Sequence, residues 1–200
     1  MPETIRDGRG KGALARVDGN NRLHIQSSTT TNSENANKDG VAYNINTGVI
    51  TLTDDNETAI LYLKNNSVDS IHIVAIAVGL AASTGGSGQP IVKIQRNPAT
   101  GDIITNANNV DVNSNRNYGS ANTLSNVNVY KGATGETVTN SGTDHLIIFQ
   151  NTSSRLFATI DEVIPRGASA ALTITPPGSN TSMQCYAAFI CHIDDPEDAN

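Results

Sequence analysis

Tryptophan is absent from this 200-residue sequence, and aromatic residues are scarce: three phenylalanines and five tyrosines make up 4% of the chain. Proteins that bind single-stranded nucleic acid stack successive bases on aromatic rings, and sugar-binding modules use rings in a similar way. The scarcity of rings therefore argues against a nucleic-acid-binding or carbohydrate-binding module. A sugar site built from polar side chains stays open.

Charge is also in short supply. Charged residues make up 16% of the chain, against about 25% in average soluble domains. The formal net charge is −6, whereas affinity for nucleic acid depends on cationic contacts with phosphates. We therefore expect no nucleic-acid partner. The polar residues are mostly asparagine, serine and threonine, which suit turns and the solvent faces of sheets better than helices.

Long apolar runs are missing as well. No stretch of 18 apolar residues occurs, so no transmembrane helix is expected. The first residues, MPETIRDGRGKG, lack the apolar region of a signal peptide, so neither secretion by that route nor a membrane partner is expected.

The only two cysteines are Cys185 and Cys191. If they lie on one strand, they are about 20 Å apart, whereas a disulfide needs Cα atoms within about 7 Å. We predict two buried thiols in a reducing compartment.

From Val41 onward, segments rich in β-branched residues recur every 8–15 residues between Gly, Pro and Asn turn signals. Examples are TAILYLKN, SIHIVAIAVGL, PIVKIQR, DIIT, HLIIFQN and SMQCYAAFICHI. No window shows helical periodicity over the length of a helix. The predicted fold class is all-β: an antiparallel β-sandwich, jelly-roll-like, with an extended N-terminal arm.

Residues 1–40 differ from the rest, because they are charged and Gly-rich at first and then polar and low in complexity. Within them, ALARVDGNNRLHIQ predicts two short strands around a turn. We predict an extended N-terminal arm or linker over 1–40, a β-sandwich domain over 41–193 and an acidic C-terminal tail over 194–200. The arm carries basic residues that could bind a partner of opposite charge, although solvated termini explain them equally well: Arg6, Arg9, Lys11, Arg16 and Arg22.

Three local features of the β-domain can be predicted. VAYNINTGVITL indicates a hairpin with its turn at Asn46–Gly48. Alternation predicts that Ile71, Ile73, Ala75 and Ala77 share one face of a strand. The same argument places the residues of AALTIT on alternate faces, with one face formed by Ala170, Leu172 and Ile174.

A Gly-rich stretch, STGGSGQP, raises the possibility of a phosphate-binding loop. A P-loop needs Lys and Ser or Thr directly after its last glycine, and a dinucleotide fingerprint needs a following helix. Here Gly88 is followed by Gln89, Pro90 and a strand-like segment. A flexible connection between two strands is the better interpretation.

No pattern of residues indicates an active site or a metal centre. The histidines His24, His72, His145 and His192 fall in separate strand-like segments, so only a zinc site assembled from distant strands stays open. A Cys–His pair could be formed by Cys191 with His145 or His192, but strand cysteines usually belong to the core.

The acidic stretch TDDNET lacks the ligand spacing of a calcium loop and fits a hairpin turn better. We predict no catalytic residue, no cofactor and no metal.

Several turn and strand motifs resemble those of small virion structural proteins of tailed bacteriophages. The motifs are NRL in the arm, then YNINTGVITLT, YLKN, STGGSG, RNPATG, YKGATG and TPPGSNTSM, and the resemblance covers most of residues 13–193. They are structural signatures, and the resemblance implies no catalytic residue.

The resemblance implies a non-enzymatic building block of the virion, and a capsid decoration (cement) protein is the preferred interpretation. Such a protein would bind the major capsid protein or other virion subunits through its arm and its β-sandwich. By analogy with virion jelly rolls, we expect a homo-oligomer, with a trimer favoured. A neck, collar or tail-fibre accessory is the alternative in the same class, and a carbohydrate-binding host-recognition module or a hydrolase is the alternative outside it.

Overall fold

The computed structural model describes residues 31–106, 108–110, 112–140, 144–151 and 153–193, and the backbone of three short strands before them. The chain divides into two compact units, Met1–Thr31 and Asn32–Asn200. The strands of the first unit are β1 (Ile5–Arg6), β2 (Leu14–Val17) and β3 (Leu23–His24), and they form an antiparallel sheet in that order. Pairing of β2 with β3 confirms the two short strands predicted in this segment.

The second unit contains two short helices and a series of strands. In chain order these are α1 Asn32–Lys38, β4 Ala42–Asn46, β5 Ile50–Leu52, β6 Thr58–Asn65, β7 Ile71–Leu80, β8 Ile91–Arg96, β9 Pro98–Thr100, α2 Asp102–Thr105, β10 Asn108–Asn109, β11 Val112–Asn115, β12 Val127–Lys131, β13 Thr139–Asn140, β14 Asp144–Phe149, β15 Arg155–Ile164, β16 Ser169–Thr175 and β17 Met183–Ile193.

Most of these strands form two antiparallel sheets. Sheet I has the order β10–β12–β6–β16–β8–β14, and sheet II has the order β11–β4–β17–β7–β15, with β5 beside β17. A separate pair joins β9 to β13. The inner faces of the two sheets share one hydrophobic core, which confirms the predicted all-β sandwich.

The order of eight of these strands is that of a jelly roll. Taken along the chain, β4 pairs with β17, β6 with β16, β7 with β15 and β8 with β14. The first strand therefore pairs with the last, the second with the seventh, and so on, as in one long hairpin. Further pairing of β17 with β7 and of β16 with β8 rolls that hairpin into two sheets.

The core lies where the central strands of the two sheets face each other. Leu63 and Leu172 of sheet I and Ile45 and Phe189 of sheet II are fully buried there. β16 contributes Ala170, Leu172 and Ile174 to this core, which confirms the face predicted for AALTIT.

The face predicted for β7 is correct only in its first half. Ile71 and Ile73 line the core, but the core is then continued by Ile76 and Val78 and not by the predicted Ala75 and Ala77. The reason is a bulge: Ile190 and Cys191 of β17 pair with Ala75 and Ile73, which leaves Val74 as an extra residue. One extra residue reverses the face of every side chain after it.

The hairpin predicted at Asn46–Gly48 is wrong. β4 and β5 do not pair with each other, because both pair with successive parts of β17 and so form one interrupted strand. At the interruption, two hydrogen bonds still join Thr47 to Ala187: Thr47 N–H donates to the Ala187 carbonyl (3.0 Å), and Ala187 N–H donates to the side-chain oxygen Thr47 Oγ1 (3.0 Å). Gly48 supplies the positive φ of 65° that turn sequences share with bulges.

Two segments are helical where the sequence indicates other structure. DIIT, predicted as a strand, forms the one-turn helix α2, whose Ile103 is fully buried against Tyr62 and Ala171. Residues 32–38, which fall within the predicted arm, form α1 with Glu34 in its first turn and Lys38 in its last. Both charges complement the helix dipole. The predicted acidic tail at 194–200 lies outside the described residues.

Thr47→Val tests the interruption between β4 and β5. Valine has nearly the same shape, but it leaves the buried Ala187 N–H without its acceptor, so we expect a loss of about 1–3 kcal/mol in unfolding free energy. Thr51→Val, at an exposed position of β5, should change it by less than about 0.5 kcal/mol. Urea denaturation measures both, and equal midpoints for Thr47→Val and the wild type would contradict the assigned role of the hydroxyl.

Candidate assembly edge

One side of the sandwich is bordered by two consecutive strands, β14 and β15. β14 pairs only with β8, and β15 pairs only with β7, so each has one backbone edge without a strand partner in the described part of the chain. We call these two strands, Asp144–Phe149 and Arg155–Ile164, the β14–β15 edge. Unpaired strand edges can pair with another chain, and proteins usually protect them.

The β14–β15 edge carries most of the exposed large apolar side chains of the described residues. Phe149 is 65% exposed and Phe157 is 67% exposed, while Ile147 and Val163 are 50% and 46% exposed. The chain has only three phenylalanines, and the third, Phe189, is fully buried in the core. Two of the three phenylalanines thus lie at one edge in contact with solvent.

Strand alternation determines where these phenylalanines point. Leu146 of β14 packs against the core, so Phe149, three residues further, lies on the outer face of sheet I. Leu156 and Ala158 of β15 pack against the core from the other side, so Phe157 lies on the outer face of sheet II. Apolar side chains therefore flank the open edge on both faces of the sandwich.

One end of the same edge is polar. Nε2 of His145 in β14 contacts a carboxylate oxygen of Glu162 in β15, and this contact bridges the two sheets. Beside it, Asp161 has a φ of 55° at a bulge in the pairing of β15 with β7, and its carboxylate lies 2.8 Å from Nε2 of His72. Bulges and charges of this kind protect a strand edge from pairing, so the unprotected part is the apolar end.

The histidines are closer together than their separate segments suggest. The rings of His72 and His192 lie 4.8 Å apart between centroids, on the neighbouring strands β7 and β17. His145 lies on β14 of the other sheet and contacts Glu162 of β15. Among the described residues, no group of three or more His, Cys, Asp or Glu side chains could hold a metal ion.

The Gly-rich stretch connects β7 to β8, and a strand follows it where a phosphate loop needs a helix. It is also fastened to the connection between β16 and β17: Thr84 N–H donates to the Ser182 carbonyl (2.8 Å), and Ser87 N–H donates to the Gly178 carbonyl (2.9 Å). These bonds form two isolated β-bridges. The interpretation as a strand connection is confirmed, but the structure gives no support to the predicted flexibility, because backbone hydrogen bonds hold the connection at two points.

Both cysteines lie on β17 and are free and buried, as predicted. Burial raises the pKa of Cys185 to about 12 and that of Cys191 to about 12. A thiol that stays protonated at neutral pH is a poor nucleophile. A catalytic Cys–His pair with Cys191 therefore has no support from the site.

No sequence pattern indicates the polar cluster that lies on the outer face of sheet I. Lys93 Nζ lies 2.9 Å from Glu57 Oε2 and 3.2 Å from Asp144 Oδ2, and Thr173 Oγ1 donates to Glu57 Oε1 (2.6 Å). The hydrogen bond to Glu57 is the main reason why the pKa of Lys93 is raised. The Lys93 ammonium lies between the two carboxylates, so the cluster joins β8, β14, β16 and the residue before β6, and it is not an acid–base pair.

Two further sequence predictions concern the acidic stretch TDDNET and the basic residues of the arm. TDDNET connects β5 of sheet II to β6 of sheet I and so is not a hairpin turn. Its Asp55 accepts a hydrogen bond from Ser179 N–H (2.8 Å), which joins the β5–β6 connection to the β16–β17 connection. The side chains of the five basic residues predicted to bind a partner lie outside the described residues: Arg6, Arg9, Lys11, Arg16 and Arg22.

Thiol labelling tests the assignment of both cysteines to the core. Because both thiols are buried and protonated, we expect Ellman's reagent at pH 8 to leave the native protein unlabelled and to react with both cysteines in concentrated urea. Ser87→Cys, at an exposed position of the Gly-rich connection, should add a single rapidly labelled equivalent under native conditions. Rapid labelling of the native wild type would show that β17 is not in the core.

Comparisons with known proteins identify no family for this chain. No protein-family model matches it, and no curated protein sequence matches it significantly. A solved structure, the crystal structure of the T13 IBDV viral particle, aligns with 95% of this chain and 48% of its own chain at 11% identity. Its TM-score of 0.14 is too low for that likeness to support any argument. No helix of the described residues has the length and apolarity to cross a membrane.

Proposed function

We propose that the protein is a non-enzymatic structural subunit of a tailed-bacteriophage particle, and specifically a capsid decoration protein that binds and stabilises the capsid lattice. Its partners are then the major capsid protein or neighbouring virion subunits, and copies of itself, with a trimer favoured by analogy. Its location is the virion. The resemblance of the strand and turn motifs to small virion proteins is the starting point of this proposal.

The observation that carries the proposal is the exposure of Phe149 and Phe157 on the β14–β15 edge. Burying one large apolar side chain stabilises an association by about 1.5–3 kcal/mol. A partner that covers the edge would bury both rings and could also pair with the free backbone of β14 or β15. Such an edge is a liability in a protein that acts alone and an advantage in one that assembles.

The fold is consistent with this role, although fold alone does not assign function. Jelly rolls occur in viral capsid domains and also in lectins and cupins. The described residues add no metal cluster and no reactive thiol to that fold. A lattice protein needs neither a metal site nor a reactive thiol, because it acts by binding its neighbours through its surface.

The predicted arm supplies the second contact in this proposal. Five basic residues between Arg6 and Arg22 lie in a chain whose net charge is −6. A basic segment can be attracted to an acidic surface of a neighbouring subunit. A neck, collar or tail accessory could use the same arm and edge, and differs from a decoration protein in having few copies per particle.

Substitutions on the edge test the proposal. In Phe149→Lys/Phe157→Lys, each lysine must be desolvated on binding, so affinity for phage capsids prepared without this protein should fall at least about tenfold. Co-sedimentation with the capsids measures the bound fraction. Thermal unfolding checks that the double variant folds, as expected for two solvent-exposed positions.

Tyr118→Lys is the matched control, because Tyr118 is a fully exposed aromatic residue in the loop after β11, at the opposite border of sheet II. It should bind capsids as the wild type does. Undiminished binding of the folded double variant would reject the β14–β15 edge as the assembly surface.

A further inference from the structure

A groove on the outer face of sheet I has the features of a ligand site that the proposed structural role does not use. It has a volume of about 490 Å³, within the range of about 300–1,000 Å³ that is usual for small-molecule sites. β6, β9, β12, α2 and the turn before β16 all contribute to its walls. Its polar and aromatic lining residues are Tyr62, Lys64, Asn97, Asn128, Tyr130 and Ser169.

Two tyrosines form the aromatic part of this groove, which we call the Tyr62–Tyr130 groove. They are direct cross-strand neighbours on β6 and β12, and their rings lie 5.9 Å apart with an interplanar angle of 6°. Tyr62 is 3% exposed and is backed by Ile103 and Ala171, whereas Tyr130 is only partly buried. The Tyr130 ring therefore lies at the groove wall and is supported from behind by the buried Tyr62 ring.

The polar wall beside the rings is held in place by hydrogen bonds. Asn97 N–H donates to the Ser169 carbonyl (2.8 Å), and Ser169 N–H donates to Asn97 Oδ1 (2.9 Å). Asn97 adopts a positive φ of 49° in this arrangement. Burial raises the pKa of Tyr62, and a hydrogen bond between its side chain and Ser169 acts in the opposite direction. The Tyr62 hydroxyl is therefore protonated at neutral pH and linked to the same wall.

Lys64 adds a positive charge to the groove. In the strand register it lies between Asn128 of β12 and Ser169 of β16. No carboxylate of the described residues forms an ion pair with Lys64, whereas Lys93, on the neighbouring part of the same sheet, lies between two carboxylates. The Lys64 ammonium is thus available to an anionic group of a ligand.

We propose that the Tyr62–Tyr130 groove binds an acidic oligosaccharide. Sugar hydroxyls both donate and accept hydrogen bonds, and amide and hydroxyl side chains such as Asn128 and Tyr130 do the same. The negative face of a tyrosine ring attracts the partly positive C–H groups of a pyranose. Lys64 would bind the sugar carboxylate through a charge-assisted hydrogen bond.

Nucleic acid fits the same groove less well. A polynucleotide carries one phosphate per residue, and its affinity rests on several cationic contacts. The lining includes one cation, Lys64, and the whole chain has a net charge of −6. An acidic oligosaccharide needs a single cation next to hydroxyl-binding groups, which is the composition of the groove.

The full-length protein should be tested on an array of acidic and neutral oligosaccharides, with single-stranded oligonucleotides as additional probes. We expect binding to acidic members and at least about tenfold weaker binding to their neutral, methyl-esterified forms. No acidic hit, equal binding of esterified forms or preferential binding of oligonucleotides would each overturn the proposal.

Variants locate the site by titration calorimetry with the strongest acidic hit. Lys64→Gln should weaken binding about tenfold or more, and Tyr130→Ala should do the same if the variant folds. Lys38→Gln, which removes an equivalent charge from the last turn of α1, should bind within about twofold of the wild type. Wild-type affinity of Lys64→Gln would place the sugar elsewhere and reject the groove.

Discussion

Burial of the two inner sheet faces against each other holds the sandwich together. Each central strand contributes one apolar face to this core, and the hairpin-like order of the strands brings β17 and β16 to the middle of the two sheets. Because β17 pairs with β4, β5 and β7, it holds sheet II together along its whole length. β17 also carries both buried thiols, and the bulge at Val74 and the interruption at Thr47 both occur where neighbouring strands pair with it.

A sandwich of two open sheets has free edges and outer faces, and each carries one of the two candidate surfaces. At the β14–β15 edge, the His145–Glu162 contact and the bulge at Asp161 protect one end, while Phe149 and Phe157 leave the other end apolar. Outer sheet faces offer the second kind of surface. There the rolled topology leaves room for the Tyr62–Tyr130 groove between β12, β16 and the segment that follows β8.

The strands themselves could be predicted from the sequence, because alternation and turn residues are local signals. β6, β7 and β17 lie where the β-branched segments indicate. The predictions that fail at Asn46–Gly48 and in β7 depend on pairing with β17, a strand that is distant in the sequence. Asn46–Gly48 has the composition of a hairpin turn, but β17 offers both flanking strands a better partner. Alternation in β7 cannot reveal Val74 as an extra residue, since the bulge exists only against β17. Neither Phe149 at an edge nor Tyr62 beside Tyr130 can be predicted without the strand order.

The copy number of this protein in purified phage particles would show whether it covers the capsid lattice. If the jelly roll covers a capsid lattice through its arm and its β14–β15 edge, quantitative mass spectrometry of intact virions should find it at a number comparable to that of the major capsid protein. A few copies per particle, or none, would contradict the account of a lattice-binding decoration protein.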